Sequence, residues 1–330
     1  MTVRRVFVIG GTGTIGKATV RALLRAGHEV VCFVRARAGV DGRLTAEESR
    51  RLFAGATVRM GDVTDPLSLA HDGFCGEHFD VLVSCLASRT GSPRDAMAID
   101  YQAHMHALQA AQKAGVTQMV LLSAICVQKP LLAFQRAKLE FERELMNSGL
   151  TYSIVRPTAF FKSLSGQVSR VKQGKPFLVF GEGTLTACKP ISDDDLGDYL
   201  AGCLTDKSRH NRVLPIGGPG DAITPLQQGE QLFALLGQAP RIKHVPVALL
   251  DIIIAVLSTL GYLLPTLAAK AELARIGRYY ATESMLVWDA SRGCYDASAT
   301  PSFGTHTLVD HYRDLLSGAT TSERGDHAVF

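Results

Sequence analysis

The 330-residue chain is 46% apolar and carries 35 lysines and arginines against 31 aspartates and glutamates. A surplus of four positive charges, scattered rather than clustered, is too mild to imply a nucleic-acid or strongly acidic partner. The seven cysteines stand singly, with no CxxC pair, which excludes a disulfide scaffold and points to reduced thiols in a cytoplasmic protein. The opening MTVRRVFVIGG runs straight into a strand and a glycine turn, without the apolar core of a signal peptide.

Short β-branched and apolar runs at 3–9, 29–34, 57–60, 80–86, 117–123 and 151–155 read as strands. Helical patterns such as 15–26, 95–114 and 131–147 lie between them, so strand and helix alternate as in the α/β class with a Rossmann-like, doubly wound parallel sheet. Continuous apolar strands suit burial on both faces. Beyond residue 157 the alternation decays into FLVFGEG, TACKPIS, an acidic-start helix from Ser192, a VLPIGG strand and a greasy segment. The expected division is a first domain over 1–157, a smaller mixed α/β substrate lobe over 158–317 with room for elements to return to the main sheet, and a disordered tail over 318–330.

Gly10, Gly13 and Gly16 are spaced GxxGxxG directly after the first strand and at the mouth of a helix, with Thr12, Thr14 and Ile15 completing the turn. Such spacing serves a tight turn, close backbone approach to a pyrophosphate, and tight packing of helix on strand, with the positive end of the helix facing the anion. The required context, strand before and helix after, is present. At the end of the second strand, where an acid would accept from an adenosine ribose, stand Arg35 and Arg37. Guanidinium groups bind a 2′-phosphate that a carboxylate would repel, so NADPH is the expected cofactor; solvated loop charges are the plainer alternative. Asp62 and Val63 follow the third strand, where Asp62 is either an adenine acceptor or an ordinary turn residue. Leu86 and Ala87 after the fourth strand and Pro157 after the sixth lie where a dinucleotide crosses the strand ends.

Lys138, in FQRAKLEFE, stands four residues after Phe134 on the helix following the fifth strand. In a Tyr-x-x-x-Lys dehydrogenase the tyrosine donates the proton; Phe134 cannot, so reversible alcohol oxidation by that route is disfavoured. Lys138 then binds the cofactor ribose or acts as a general acid, the alternative being a surface charge paired with Glu142. The ten histidines show no metal-ligand spacing, so no metal is expected. Ser123 reads as a hydrogen-bonding residue at a strand end rather than a nucleophile, and Ser192 as the cap of a helix whose acids favour its positive end. The segment 245–273 is interrupted by Asp251, Gly261 and Pro265, which argues against a membrane span and for a buried or greasy helix covering a pocket, with membrane-surface contact as the alternative.

Taken together, Gly10 to Gly16, Arg35, Asp62, Lys138 and Arg156-Pro157-Thr158 resemble the atypical short-chain dehydrogenases near the isoflavone-reductase and NmrA-like branch. The stretches 122–167 and 275–289 are more specific and resemble the 3,8-divinyl chlorophyllide a 8-vinyl reductases, a likeness running over residues 4 to 317. That resemblance implies NADPH-dependent reduction of the C8 vinyl group of a divinyl chlorophyllide or protochlorophyllide to ethyl, in chlorophyll or bacteriochlorophyll synthesis. It also assigns Lys138 an orienting or acid role. A flat apolar tetrapyrrole makes Phe160, Phe161 and the helix over 247–264 candidates for a covering wall, with core packing as the alternative for each. Two other readings stay open: a reductase of another conjugated substrate, and an NmrA-like NADP(H) sensor without turnover. The expected location is the cytoplasm, at most peripheral to a photosynthetic membrane, and the oligomeric state is not legible.

Overall fold

The computed structural model describes residues 2–39, 42, 44–261 and 264–319. Strand β1 (Arg5–Ile9) is apolar on both sides, and both sides are used: Val6 and Val8 face one core, Phe7 and Ile9 another, none more than 1% exposed. Around it lie β2 (Glu29–Val34), β3 (Thr57–Met60), β4 (Val81–Ser84), β5 (Gln118–Leu122) and β6 (Thr151–Pro157), each within three residues of its predicted position at either end. Strand β7 (Phe177–Phe180) leaves this sheet, and β8 (Arg212–Ile216) returns to it as the last strand beyond β6. The order is β3-β2-β1-β4-β5-β6-β8, with every neighbouring pair parallel. The order therefore reverses between β1 and β4, the switch point at which ligands cross an open parallel sheet.

On one face the helix α1 (Thr14–Arg25) packs against Asp193–Gly202, which the chain supplies after its excursion beyond β6. Gly197 permits the close approach, since an added Cβ there would stand 2.7 Å from the Ala18 carbonyl carbon. Arg21 and Arg25 reach Asp194 and Asp198 at 2.6 Å each. Ser192 caps this helix, accepting from the Asp195 amide at 3.0 Å, as its sequence requires. The other face is covered by His104–Lys113 and Ala133–Asn147. With this helix and β8 both built into the first layer system, the boundary at 157 separates segments of chain and not layers of structure.

The remaining lobe has its own core, formed by Phe161, Val171, Phe177, Phe233, Leu308 and Tyr312, around the two-stranded pair of β7 and β9 (Ile242–Val245). A helical hairpin, Ala248–Gly261 and Pro265–Thr282, follows β9. The first of these helices keeps Leu250 inside but turns Leu249, Ile252, Ile253, Val256 and Leu260 outward, the last five all at least 38% exposed. Burial in a core, one expectation for this segment, is not what the fold does with it. Among the described residues no helix is long and apolar enough to cross a membrane. The tail expected to be disordered lies, from residue 320 on, outside the described residues.

Candidate active site

The three glycines of the turn have different reasons to be glycine. Gly10 has φ +73°, and a side chain on it would press into the backbone joining Cys85 to Leu86, with the Cys85 carbonyl oxygen 2.6 Å away. Gly16 would collide with the Gly10 carbonyl and stand 2.8 Å from the Gly11 Cα. Those two positions are dictated by packing within the protein: they press the turn against the end of β4 and the helix against the strand. Gly13 is exposed, has an ordinary φ of −68°, and a Cβ there would meet nothing nearer than the Gly10 carbonyl oxygen at 3.5 Å. The chain itself does not demand glycine at 13. A ligand lying against the backbone would. Gly13 is also the N-cap of α1, where no side chain caps and no acid occupies the first turn, so the first-turn amides point outward unpaired by any side chain. This turn fits the pyrophosphate of a dinucleotide, with Thr12, Gly13, Thr14 and Ile15 around it.

Arg35 and Arg37 are both exposed just past β2, where a 2′-phosphate would lie. Asp62 forms an Asx turn: one carboxylate oxygen accepts from the Thr64 amide at 2.8 Å and its hydroxyl at 2.7 Å. The turn role is thus filled through one carboxylate oxygen. Val63 packs at the edge of the core beside it. Leu86 is half-buried, its amide held by the Ser84 hydroxyl at 3.3 Å, and Ala87 is exposed at the mouth of the switch point. Pro157 is buried at the end of β6, opposite Ile216 of β8.

Lys138 does not pair with Glu142. Its ammonium reaches Asp100 at 3.0 Å, with the two side chains 11% and 0% exposed. Asp100 comes from the π-helical stretch Ala96–Ala103, in which the extra residue per turn shifts the helix phase, a feature common at functional sites. The same Asp100 oxygen accepts from the Ser88 amide at 3.1 Å, while the other, Oδ2, is buried with no hydrogen-bond partner among the described residues. One turn on, His104 is buried, and burial with the nearby Lys138 cation pushes its imidazole down to about 4. The ring is therefore neutral: Nδ1 donates to the Ile99 carbonyl and Nε2 accepts from the Ser84 hydroxyl, both at 2.9 Å. Glu142 is occupied elsewhere. It takes Arg156 and the Ser123 hydroxyl, the latter at 2.5 Å, which makes Ser123 a donor to a carboxylate and not a nucleophile.

The wall beside Lys138 is apolar. Ile125, Cys126, Leu132 and Phe134 meet Ile276 and Tyr279 of the hairpin's second helix, and the Tyr279 hydroxyl donates to the carbonyls of Cys126 and Lys129 at 2.9 and 3.1 Å. Phe134 lies at the position a dehydrogenase gives to tyrosine, and it packs here. Phe160 is half-buried at the rim of the sheet core. Phe161 corrects the expectation placed on it: it is 3% exposed, inside the second lobe's core against His306 and His311, and has no face to offer a ligand. Phe160, in extended backbone, stays at the rim, whereas Phe161 opens the short helix Phe161–Leu164 and turns into the core.

Two residues of the site were not legible beforehand. Asp100 had a signal, an acid four residues before His104 in AMAIDYQAHM. Lys162 had none: it follows β6 in Phe161–Leu164, yet its ammonium donates to the Thr14 hydroxyl at 3.1 Å, across the mouth of the glycine turn.

A family model described as NAD(P)H-binding matches residues 10–207. The chain is 49% identical, over 98% of its length and 82% of the relative's, to a Zea mays protein named divinyl chlorophyllide a 8-vinyl-reductase, chloroplastic. It is 47% identical to the Arabidopsis thaliana protein of the same name, over 97% of this chain and 79% of that one. Photosystem II assembly factor Ycf39 of Synechocystis is more distant, at 26% over 74% of this chain and 72% of its own. Among solved structures, an NADPH-dependent quinone oxidoreductase of Escherichia coli complexed with NADPH superposes with a TM-score of 0.68 at 19% identity, covering 94% of this chain and 99% of its own. That likeness speaks to the fold.

Proposed function

We propose, for a chain that belongs to the divinyl chlorophyllide a 8-vinyl-reductase family and carries its NAD(P)H-binding domain, the NADPH-dependent reduction of the 8-vinyl group of a divinyl chlorophyllide to ethyl. The observation that carries the reading is near-50% identity along almost the whole chain, extending through the substrate lobe as well as the cofactor half. When bound, NADPH supplies the hydride for one vinyl carbon; a proton completes the other, so two hydrogens are added across one C=C bond. No hydroxyl proton has to be relayed, which makes Phe134 intelligible where alcohol chemistry would need tyrosine.

In this reading the chain's own residues divide the work. The turn from Gly10 to Gly16 holds the pyrophosphate, Arg35 and Arg37 the 2′-phosphate, and Asp62, Val63, Leu86, Ala87 and Pro157 line the rest of the dinucleotide's path. Lys138, aimed by Asp100, orients the nicotinamide ribose and stands ready as a proton source. Phe160 and Phe134, both half-buried, accept the flat pigment, with Ile276 and Tyr279 packed behind Phe134. The outward stripe from Leu249 to Leu260 supports a peripheral contact with a membrane surface, from which so apolar a substrate is drawn.

The test is to mix purified protein, NADPH and divinyl chlorophyllide and follow the pigment spectrum. A blue shift of the Soret band with formation of the ethyl product is expected. An unchanged spectrum from folded protein that binds NADPH overturns the reading in favour of a dinucleotide sensor.

A further inference from the structure

The segment that follows β6 delivers a cation to the wrong end of a helix, unless something negative joins it there. Phe161–Leu164 is pinned to the sheet by the bridge between Phe160 and Ile191 and by the Phe161 amide on the Ile191 carbonyl at 3.4 Å. Lys162 thereby reaches back over the switch point to Thr14, the first residue of α1. The amino end of a twelve-residue helix carries partial positive charge, and no acid in its first turn offsets it. An ammonium added beside it is repelled. Neither is the cation held there by an ion pair: among the described residues its one direct polar contact is the Thr14 hydroxyl. The nearby Asp193 carboxyl is pushed up to about 6 by burial against the opposing pull of the Lys162 charge, and its Oδ1 is buried without a hydrogen-bond partner, so the two groups attract through space without closing an ion pair.

Three positive or donor features thus converge on one small volume: the outward amides of α1, the Thr14 hydroxyl and the Lys162 ammonium. The exposed Gly13, whose backbone nothing in the chain crowds, borders the same volume. We propose that Lys162 closes over the pyrophosphate bridge of the dinucleotide and clamps it against the first turn of α1. This rests on the dinucleotide reading of the glycine turn, and it makes the substrate lobe a direct ligand of the cofactor. A charge-assisted hydrogen bond to a phosphate oxygen acts on a group that NADH and NADPH share, whereas Arg35 acts on the 2′-phosphate that only NADPH has.

The experiment titrates the full-length protein with NADPH and with NADH, following nicotinamide fluorescence, for wild type, Lys162→Ala, Lys162→Met, Lys162→Arg and Arg35→Ala. Lys162→Met keeps the aliphatic stem and removes only the charge, so it guards against a packing defect in Lys162→Ala. Both are expected to weaken NADH and NADPH by the same factor, about 10- to 100-fold. Lys162→Arg is expected to stay within a few-fold of wild type, and Arg35→Ala to weaken NADPH alone. Wild-type affinity for both dinucleotides in Lys162→Met overturns the clamp, as does a loss confined to NADPH. If the wild-type protein binds neither dinucleotide, the glycine-turn reading itself falls and takes the clamp with it.

Discussion

The cofactor end of the sheet and the helical hairpin after β9 are both rich in features that sequence marks out, but they are built to different tolerances. At the glycine turn an added methyl at Gly10 or Gly16 would sit inside backbone atoms, and Lys138 and Asp100 are buried together at 3.0 Å. On the hairpin's first helix, large aliphatic side chains stand in the open at 38–60% exposure, and only Leu250 is inside. Backbone-level demands make a site that substitution breaks. A sheet of exposed apolar side chains makes a surface whose character survives any single change.

That contrast is broken or sharpened by three measurements. The largest effect is expected for Lys138→Ala, which leaves the Asp100 carboxylate buried with neither oxygen ion-paired. Removing one partner of such a pair destabilises by about 3–5 kcal/mol, seen as a fall in melting temperature beside the loss of pigment reduction. Combining Lys138→Met with Asp100→Asn is expected to restore much of the stability and none of the turnover. A lysine with no stability effect would mean that the pair is not closed in solution.

Asp193→Asn gives a smaller effect of the opposite sign. Burial raises this carboxyl from the ordinary 3.8 to about 6, so between those values the folded chain holds a proton that the unfolded chain has released, and stability falls as pH rises. Below pH 4 the group contributes nothing. Above pH 6 the full penalty is present, on the order of 2–3 kcal/mol at 1.36 kcal/mol per unit. The asparagine variant should therefore melt higher than wild type at pH 8 and together with it near pH 4. A constant difference across that range would remove Asp193 as the source.

The smallest stability change is expected on the hairpin. Replacing Ile252 and Val256 together by serine should leave the melting temperature nearly unchanged, within about 0.5 kcal/mol per surface site, while reducing flotation of the protein with lipid vesicles. Equal flotation of variant and wild type would show that the stripe does not meet a membrane.

How far sequence carried the interpretation follows from what is local. The six leading strands, the turn and the Ser192 cap rest on patterns within a dozen residues, and all are found where the pattern places them. Lys138 was legible as a functional candidate, but its partner was not. Helical spacing points to Glu142, whereas the fold gives Glu142 to Arg156 and Ser123, and brings Asp100 in from a stretch whose π geometry breaks the 3.6-residue count. Lys162 meets Thr14 across 148 positions, which no spacing rule can anticipate. Phe160 and Phe161 were indistinguishable as letters, and the short helix that opens at Phe161 decides which of them turns inward.

The late return of the chain to the sheet has a practical corollary for anyone wishing to dissect this protein. A fragment ending after β6 would lose the helix that covers α1 and leave Ser153 to Pro157 as a raw edge, with unpaired amides and carbonyls where β8 should lie. Such a half would stick to its own copies instead of folding by itself. The polypeptide is sewn shut by a stitch placed after the lobe, so its two halves stand or fall as one.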